Sequence, residues 1–537
     1  MNTNHKLINS KSLTKSGRGY TAVICAVLLL TVAGCTKNFE KNNTDGTGIP
    51  LSQVSIPTLF PPLQSAIFHD YQTAQNLSAD GFAGYMMSPT PFKAAYDLNY
   101  GLVDDWDKNG FNDAYTLVMG PLIRIAASGL KKTAPDLWAV GLITKVEAMH
   151  RVTDKFGPIP YSQVGKSLTT TPYDSQQAVY TQFFAELDTA VTSLQSYVAA
   201  NPGKMPYSTY DRIYAGDYTK WIKFANSLRL RLAMHIVKAD PATAKIQGEK
   251  ALNPANGGVL TTVSDDAAIA VAPGSENDYY LLSNDYGDCR LNAAIATYMT
   301  GYNDPRLPSY ASPATDALFP GQYIGIRIGS AIKAKTDYIT YANINISKTF
   351  LLATPPEQIM TAAEVWFLKA EASLRGWANS GDAKSDYETG VQTSMQQWGV
   401  DGTAYLNDAT STQAAYVDPK NSANNSPAVS TITIKWDAGA SQEQMLERIL
   451  TQKWLAVFPE GQEAWTEFRR TGYPKLFPVV VNTSNGAIDT QTQIRRLAYP
   501  SNEYNTNGGE VSKAVQLLGG KDNGGTRVWW DIAKSNF

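Results

Sequence analysis

The segment SQEQMLERILTQKWLAVFPEGQEAWTEFRRTGYP, residues 441–474, predicts two helices joined by a short turn. Ser441 followed three residues later by Gln444 is typical of a capping box at a helix N-terminus. Gly472 is placed to end the second helix, and Pro474 cannot continue it. Apolar residues recur at three-to-four spacing along the first helix: Leu446, Ile449, Trp454 and Leu455. The segment therefore predicts a helical hairpin over 441–457 and 461–471.

Comparable helical pairs are predicted elsewhere in the chain: 136–153 with 176–199, 218–237 with a partner from about 241, and 361–378 with 384–398. Thr361 with Glu364, and Asp174 with Gln177, supply further N-terminal capping signals. Antiparallel pairs along a chain indicate stacked hairpins of the tetratricopeptide kind, although no clean repeat of about 34 residues is visible. The predicted fold class is mainly α, with about four helical hairpins.

Three long insertions separate the predicted hairpins, at residues 78–112, 252–350 and 400–440. They are rich in Gly, Asn, Asp, Thr and Tyr and show no strong periodicity. Loops of this length are uncommon in compact domains unless they carry a function. We therefore expect a helical scaffold whose insertions form a ligand-binding face.

The N-terminus resembles that of a bacterial lipoprotein. A cationic segment without acidic residues precedes an apolar run, residues 21–33, that is too short to span a bilayer as a helix. Val32-Ala33-Gly34-Cys35 then resembles a lipobox, in which the cysteine is acylated. This predicts a signal peptide at 1–34, a tether at 35–57 lipidated on Cys35, and a single domain at 58–537. The alternative is an ordinary secretory signal with a chance cysteine.

Charge and cysteine content exclude several classes of function. Removing residues 1–34 takes the formal net charge from −2 to −6. This acidity argues against binding to nucleic acid, and attachment to a membrane would rest on the lipid anchor alone. Once Cys25 has left with the signal and Cys35 is acylated, only Cys289 remains, so no intrachain disulfide is expected.

The chain carries none of the common catalytic or metal motifs. It lacks H-E-x-x-H, G-x-S-x-G, a Walker loop and a strand-linked G-x-G-x-x-G, and we expect His69, His150 and His235 to be structural or surface residues. Asp104, Asp105 and Asp107 surround Trp106, where a helix start explains them better than paired hydrolytic carboxylates. Asp265-Asp266 falls far short of a full calcium ligand set. We predict no catalytic residue, no metal site and no cofactor.

Glu463, Glu467 and Arg470 lie at three-to-four spacing in the last predicted helix, so their side chains can form ion pairs on one face. A catalytic cluster is one interpretation of this group. We favour a structural ion network beside a buried Trp465.

Aromatic residues in the insertions are the positive signal for binding. A sugar ring offers apolar C–H faces and a rim of hydroxyls, so a glycan site needs aromatic rings together with polar side chains. The same composition also fits a protein interface or plain packing. The candidate ligand-binding residues are Phe92, Tyr96, Tyr100, Trp106, Asp278, Tyr279, Tyr280 and Tyr323.

Several segments resemble one known family. V-T-D-K-F-G-P-I-P-Y-S, residues 152–162, resembles the "tD.yGdiPYs" element of SusD/RagB-like outer-membrane lipoproteins of Bacteroidota. Other segments agree with that family in order along the chain: 39–44, 214–234, 302–308, 359–372, 451–474 and 495–503. The resemblance covers nearly the whole sequence.

The resemblance implies four tetratricopeptide-like hairpins that face a SusC-like TonB-dependent transporter, and insertions that capture oligosaccharides for import. It implies a lipid-anchored, surface-exposed outer-membrane protein that is not an enzyme. The segment after Cys35 departs from the family pattern because it is not strongly acidic. Three alternatives remain: a peptide binder on the same fold, a lipoprotein glycosidase, and a scaffold that only recruits partners.

Overall fold

The computed structural model describes residues 53–167, 169–345 and 356–537. The predicted signal peptide, Cys35 and the tether up to residue 52 lie outside these ranges. From Ser55 to Phe537 the chain forms one compact unit.

The longer α-helices are α1 (Asp104–Asp113), α2 (Gly120–Ala127), α3 (Pro135–Phe156), α4 (Gln176–Ala200), α5 (Tyr218–His235), α6 (Pro241–Leu252), α7 (Ala293–Gly301), α8 (Ala362–Leu374), α9 (Ala383–Gln397), α10 (Gln442–Val457), α11 (Gly461–Thr471) and α12 (Ser501–Leu518). Shorter α-helices span Phe60–Ser65, Leu130–Thr133, Asp278–Tyr280, Leu307–Tyr310, Lys335–Tyr338 and Thr403–Leu406. Residues Gln72–Asp80, Ala114–Met119 and Leu281–Asp285 form π-helical turns.

The fold is mainly helical and contains the four predicted hairpins. Helix α3 packs against α4, α5 against α6, α8 against α9, and α10 against α11. Neighbouring hairpins meet where α4 contacts α5, α5 contacts α8, and α8 contacts α10. The prediction of about four helical pairs is confirmed, and the observed helix bounds lie close to those expected.

Most of the predicted helix ends are also observed. Ser441 and Gln444 form a capping box, and the Thr361 hydroxyl accepts a hydrogen bond from the Glu364 N–H at 3.2 Å. Gly472 closes α11 with a φ of 81° and donates its N–H to the Phe468 carbonyl. The expected cap at Asp174 is wrong.

Ser175 caps α4 instead, with its hydroxyl accepting from the Ala178 N–H at 3.2 Å. Asp174 forms a β-bridge with Ile159, and its carboxylate accepts from the Ser162 N–H and hydroxyl. The backbone and side chain of Asp174 therefore stabilise the loop before α4, and Ser175 is the residue that caps the helix.

In the described part of the chain, six short strands lie in or next to the insertions: β1 (Met86–Met87), β2 (Ala267–Ile269), β3 (Arg290–Leu291), β4 (Ala311–Ser312), β5 (Asn343–Ile344) and β6 (Glu357–Met360). They pair antiparallel as β1–β3, β2–β6 and β4–β5. The insertions are thus ordered by short ladders and by α1 and α7, which fall within the predicted loop regions.

Charged side chains meet inside the helical scaffold in what we call the buried ion network: Glu147, His150, Asp154, Arg231, His235, Glu364, Glu371, Lys453, Glu463, Glu467 and Arg470. Arg231 of α5 forms a bidentate contact with Glu364 of α8 at 2.7 and 2.8 Å. Lys453 of α10 contacts Glu463 at 2.8 Å and Glu467 at 3.2 Å. A charge buried without a partner would cost several kcal/mol, so these pairs constrain how the helices pack.

The predicted structural role of the Glu463, Glu467 and Arg470 cluster is confirmed. Arg470 donates to both carboxylate oxygens of Glu371 at 2.7 Å and also contacts Glu467. Trp465 is fully buried beside them, as expected. Although burial disfavours the charged form of Glu371, Arg470 and Arg375 hold its pKa at about 2.

Replacing Arg231 with Met should destabilise the protein by about 3–5 kcal/mol because Glu364 would lose its bidentate cation in the interior. The matched control is Arg229→Met on the same helix. Arg229 pairs with Asp188, which is 39% exposed and also pairs with Lys250. Although the Arg229 side chain is buried, its loss leaves no buried carboxylate without a cation, so we expect the control to cost clearly less than Arg231→Met. Urea unfolding measures both values, and equal losses would contradict a special role for the network.

The pH dependence of stability should report the charge on His150. Burial disfavours the charged imidazole, but Glu147 and Asp154 outweigh it and raise the pKa of His150 to about 9. A raised pKa contributes stability that is complete below about pH 6.5 and is lost as the pH rises through about 9.

The His150→Gln variant removes this contribution, so the stability difference between wild type and variant should shrink by about 1–3 kcal/mol from pH 6.5 to pH 9.5. Comparing the two proteins cancels the opposite effect of Lys155, whose pKa is lowered to about 7 by burial. Chemical denaturation at several pH values measures the difference, and a constant value across this range would contradict the assignment.

A candidate ligand cavity between the insertions

A cavity of about 390 Å³ lies between two of the insertions, and we call it the insertion cavity. Its walls come from α7 (Ala296, Thr297 and Thr300), from residues 322–325, and from residues 415–417. Its volume falls within the range of small-molecule sites, about 300–1,000 Å³.

Two glycines let the walls approach closely. A Cβ at Gly325 would lie 2.5 Å from the carbonyl carbon of Asn292, so residues 322–325 can pass beside the start of α7 only because this side chain is absent. At the other end of α7, a Cβ at Gly301 would lie 2.3 Å from the Thr412 carbonyl oxygen. These contacts fix the distance between the walls on both sides of α7.

Arg327 connects the second wall to the third. Its guanidinium donates to the carbonyl oxygens of Asn424 and Asn425 at 2.9 Å, and to that of Pro478 at 3.1 Å. The two insertions are therefore held together by the Arg327 side chain, two residues along the chain from the second wall.

Asp418 stabilises the third wall. Its carboxylate accepts hydrogen bonds from the Asn424 amide at 2.7 Å and from the Lys420 N–H at 2.9 Å. Tyr416 and Ser426 form a β-bridge, which closes this loop. The Tyr416 hydroxyl donates to the Gly325 carbonyl at 2.8 Å, so the second and third walls also meet directly.

The groups that face the cavity are uncharged. Tyr323 is half-buried, and Val417 at the rim is 63% exposed. Gln322 is exposed, whereas the Thr300 hydroxyl already donates to the Ala296 carbonyl at 2.7 Å. Among the described residues that line the cavity, none is Asp, Glu, Lys or Arg. The site can offer an aromatic ring, an apolar side chain and neutral polar groups.

Of the eight candidate residues, Tyr323 is the one that lines this cavity. Phe92 and Trp106 form a separate aromatic pair in edge contact, with ring centroids 5.6 Å apart and Lys93 above the Trp106 ring at 5.4 Å. Both rings are half-buried. They form a second partly exposed aromatic surface outside the insertion cavity.

Tyr96, Tyr100 and Tyr279 are buried in the hydrophobic core. Tyr279 packs edge-on against Tyr71 and donates its hydroxyl to the Pro459 carbonyl at 3.1 Å. Because these three rings face the interior, they offer no surface to a ligand in this conformation.

Asp278 and Tyr280 are half-buried at a different place from the insertion cavity. Burial and the nearby Asp70 raise the pKa of Asp278 to about 6. Burial and Asp278 raise the pKa of Glu357 to about 7. Asp278 and Glu357 form an acidic pair, and the ligand-binding roles of Asp278 and Tyr280 stay predictions.

The acidic groups considered as catalytic or metal-binding have structural partners. Asp104, Asp105 and Asp107 lie in the first turn of α1, where the helix dipole favours them. Asp104 accepts from the Ser501 N–H and hydroxyl at 2.7 and 2.6 Å, which holds the start of α12. Asp266 accepts from the Ala362 N–H at 2.7 Å, at the start of α8.

One cluster in the described part of the chain has the spacing of a metal site: His235, Glu463 and Glu467, whose ligand atoms lie within 4.8 Å of one another. Lys453 already places its ammonium group against both glutamates. A metal ion there would compete with a buried cation, so these residues fit the ion network better than a metal centre. His150 and His235 are buried in the same network, as the structural assignment expected.

Sequence analysis missed Tyr416, Val417 and Gln322 as cavity residues. Tyr416 lies in the insertion at 400–440, whose aromatic residues were not considered. The signal was present in the composition, but contact between two distant insertions could not be inferred from spacing along the chain.

The comparisons with known proteins agree with this architecture. The model of the SusD-like family, described as Susd and RagB outer membrane lipoprotein, matches residues 36–531. No curated protein matches the chain. In the described ranges 53–167, 169–345 and 356–537, no helix is both long enough and apolar enough to cross a bilayer.

Solved structures match over most of the chain. A chitin-binding SusD homolog from Flavobacterium johnsoniae is 44% identical, with a TM-score of 0.85, and the match covers 90% of this chain and 100% of that one. A SusD homolog from Bacteroides vulgatus is 37% identical, with a TM-score of 0.84 and coverages of 90% and 98%. A SusD-like protein from Bacteroides thetaiotaomicron is 35% identical, with a TM-score of 0.83 and coverages of 89% and 99%. The chain belongs to the SusD-like family of outer membrane lipoproteins.

Proposed function

We propose that this protein captures a neutral, N-acetylated oligosaccharide of the chitin type in the insertion cavity. The observation that carries the proposal is the uncharged lining of that cavity, with Tyr323 half-exposed and Val417 at the rim. A chitin-binding relative at 44% identity supports this class of ligand.

The chemistry of such a ligand fits the groups on the walls. The Tyr323 ring can stack on the C–H face of a pyranose, since aromatic rings bury apolar area while keeping a polar edge in water. Val417 offers apolar surface to an acetamide methyl group. The exposed Gln322 amide can donate hydrogen bonds to sugar hydroxyls and accept hydrogen bonds from them.

We further propose that binding is not followed by hydrolysis. Glycosidases need a pair of carboxyl groups flanking the scissile bond. The described residues that line the insertion cavity include no Asp or Glu, so a bound glycan would meet neither a general acid nor a nucleophile there. We also predict that binding requires no cofactor.

The proposed partner is a SusC-like TonB-dependent transporter, with the lipid on Cys35 holding the protein at the cell surface. In this arrangement the insertions face the ligand and the hairpins face the transporter. Opening and closing over the barrel would follow the hinge motions by which other capture proteins enclose ligands. Family membership supports this arrangement.

Replacing Tyr323 with Ala should weaken binding of chitohexaose at least tenfold, which corresponds to about 1.4 kcal/mol, because the stacking surface is lost. Isothermal titration calorimetry measures the affinity. The matched control is Tyr286→Ala, since Tyr286 lies in the same insertion, is 48% exposed, and does not line the cavity. We expect the control to bind as tightly as wild type.

Unchanged affinity in Tyr323→Ala, or equal losses in the two variants, would contradict the assignment of the cavity. Binding of peptides without binding of any glycan would favour the peptide-binding alternative. Release of new reducing ends from chitohexaose by the wild-type protein would instead favour the glycosidase alternative.

A further inference from the structure

A second cavity, of about 490 Å³, lies at the C-terminal end of α11. It is bordered by residues 468–472, 475–476, 491–493 and 532–534 and by Arg495 and Arg527, with Lys238 reaching it from the segment after α5. Seven of its lining side chains are Lys or Arg, and none of the described lining residues is Asp or Glu. We call it the cationic pocket.

The carboxylates behind the pocket do not balance these charges. Asp531 is shared between Arg495 and Arg527. Arg470 is neutralised by Glu371 and Glu467, but those glutamates also pair with Arg375 and Lys453 respectively. Several cations therefore share few anions at this place.

Of three further cations in the lining, two have no carboxylate partner among the described residues, and the third has one at 3.5 Å. Lys238 donates to the Lys534 carbonyl oxygen at 3.3 Å, and neither lysine forms an ion pair with a carboxylate in the described part of the chain. Lys475 is half-exposed, and its ammonium group lies 3.5 Å from Glu447. All three ammonium groups can turn toward a ligand in the pocket.

Arg469 adds a fixed positive charge to the pocket wall. Its guanidinium stacks 3.6 Å from the Trp465 ring centroid and 4.8 Å from that of Trp530. It donates to backbone carbonyls of Asp154 and Arg495, which hold it in place without neutralising it. Burial lowers the pKa of Arg469 to about 9, and burial together with Arg470 lowers that of Lys238 to about 8. Asp154 and Asp531 oppose the shift of the Arg469 pKa, so burial is its cause, whereas Arg470 adds to the shift of the Lys238 pKa.

The end of α11 does not supply enough opposite charge. The C-terminal carbonyl groups of a helix carry a partial negative charge, which favours cations in the last turn. Arg469 and Arg470 occupy that last turn, and the Phe468 carbonyl accepts a hydrogen bond from the Gly472 N–H. Partial charges of this size cannot balance the lining cations that the carboxylates leave without a full partner.

We infer that the cationic pocket binds an oxyanion, either as a free inorganic anion or as the acidic group of a sugar. Guanidinium and ammonium groups are the side chains that recognise phosphate, sulfate and carboxylate. The volume leaves room for a sugar ring attached to the anionic group. This site is separate from the insertion cavity and does not depend on the function proposed there.

The test is calorimetry with sodium phosphate, sodium sulfate and sodium glucuronate at pH 6.5 and constant ionic strength, with glucose, which has the size of glucuronate but no charge and no acetamide group, as the uncharged reference. We expect at least one of the anions to bind and the reference sugar not to bind in this pocket. Tighter binding of glucuronate than of phosphate and sulfate would assign the anion to a sugar, and the reverse order would assign it to a free inorganic ion.

The double variant Lys238→Met/Lys534→Met should bind the preferred anion at least tenfold more weakly. The control Lys245→Met/Lys513→Met removes the same net charge from exposed helix positions that do not line the pocket. We expect the control to bind normally, and both double variants to keep wild-type affinity for chitohexaose. Absence of binding by all three anions, or equal losses in the two variants, would overturn the inference.

Discussion

The need to neutralise charge inside the helical scaffold is the constraint on which the rest of the structure depends. Arg231 on α5 meets Glu364 on α8, and Lys453 on α10 meets Glu463 and Glu467 on α11. Each pair joins different helices. A shift of one hairpin would therefore leave a charged group in the protein interior without a partner or water to stabilise it. Glu147 of α3 also lies 3.4 Å from Arg231, and Arg470 of α11 pairs with Glu371 of α8. All four hairpins are therefore held in register by ionic contacts as well as by apolar packing.

The insertions are attached to the same scaffold. Tyr298 of α7 packs against Trp454 of α10 with ring centroids 5.3 Å apart, and Tyr310 donates its hydroxyl to the Leu455 carbonyl at 2.8 Å. Because α7 forms one wall of the insertion cavity, that wall is positioned by a helix that also carries Lys453. The ion network, the α10 helix and the cavity are therefore mechanically connected.

The hairpins could be predicted because their signals are local: caps such as Ser441, apolar spacing, and Gly472 before Pro474. The charged pattern of Glu463, Glu467 and Arg470 also revealed a structural ion network. The candidate site was harder to predict because composition alone does not tell a buried Tyr279 from a half-exposed Tyr323. Contacts such as the hydrogen bond from the Tyr416 hydroxyl to the Gly325 carbonyl join distant insertions, and no spacing in the sequence encodes them.

The central claim is that a rigid helical scaffold presents the insertion cavity to a glycan. Hydrogen–deuterium exchange with and without chitohexaose tests it most directly. The account predicts added protection at residues 293–301, 322–325 and 415–417, with α5, α8 and α10 equally protected in both states. Protection concentrated around Phe92 and Trp106 instead, or spread through the hairpin helices, would contradict it.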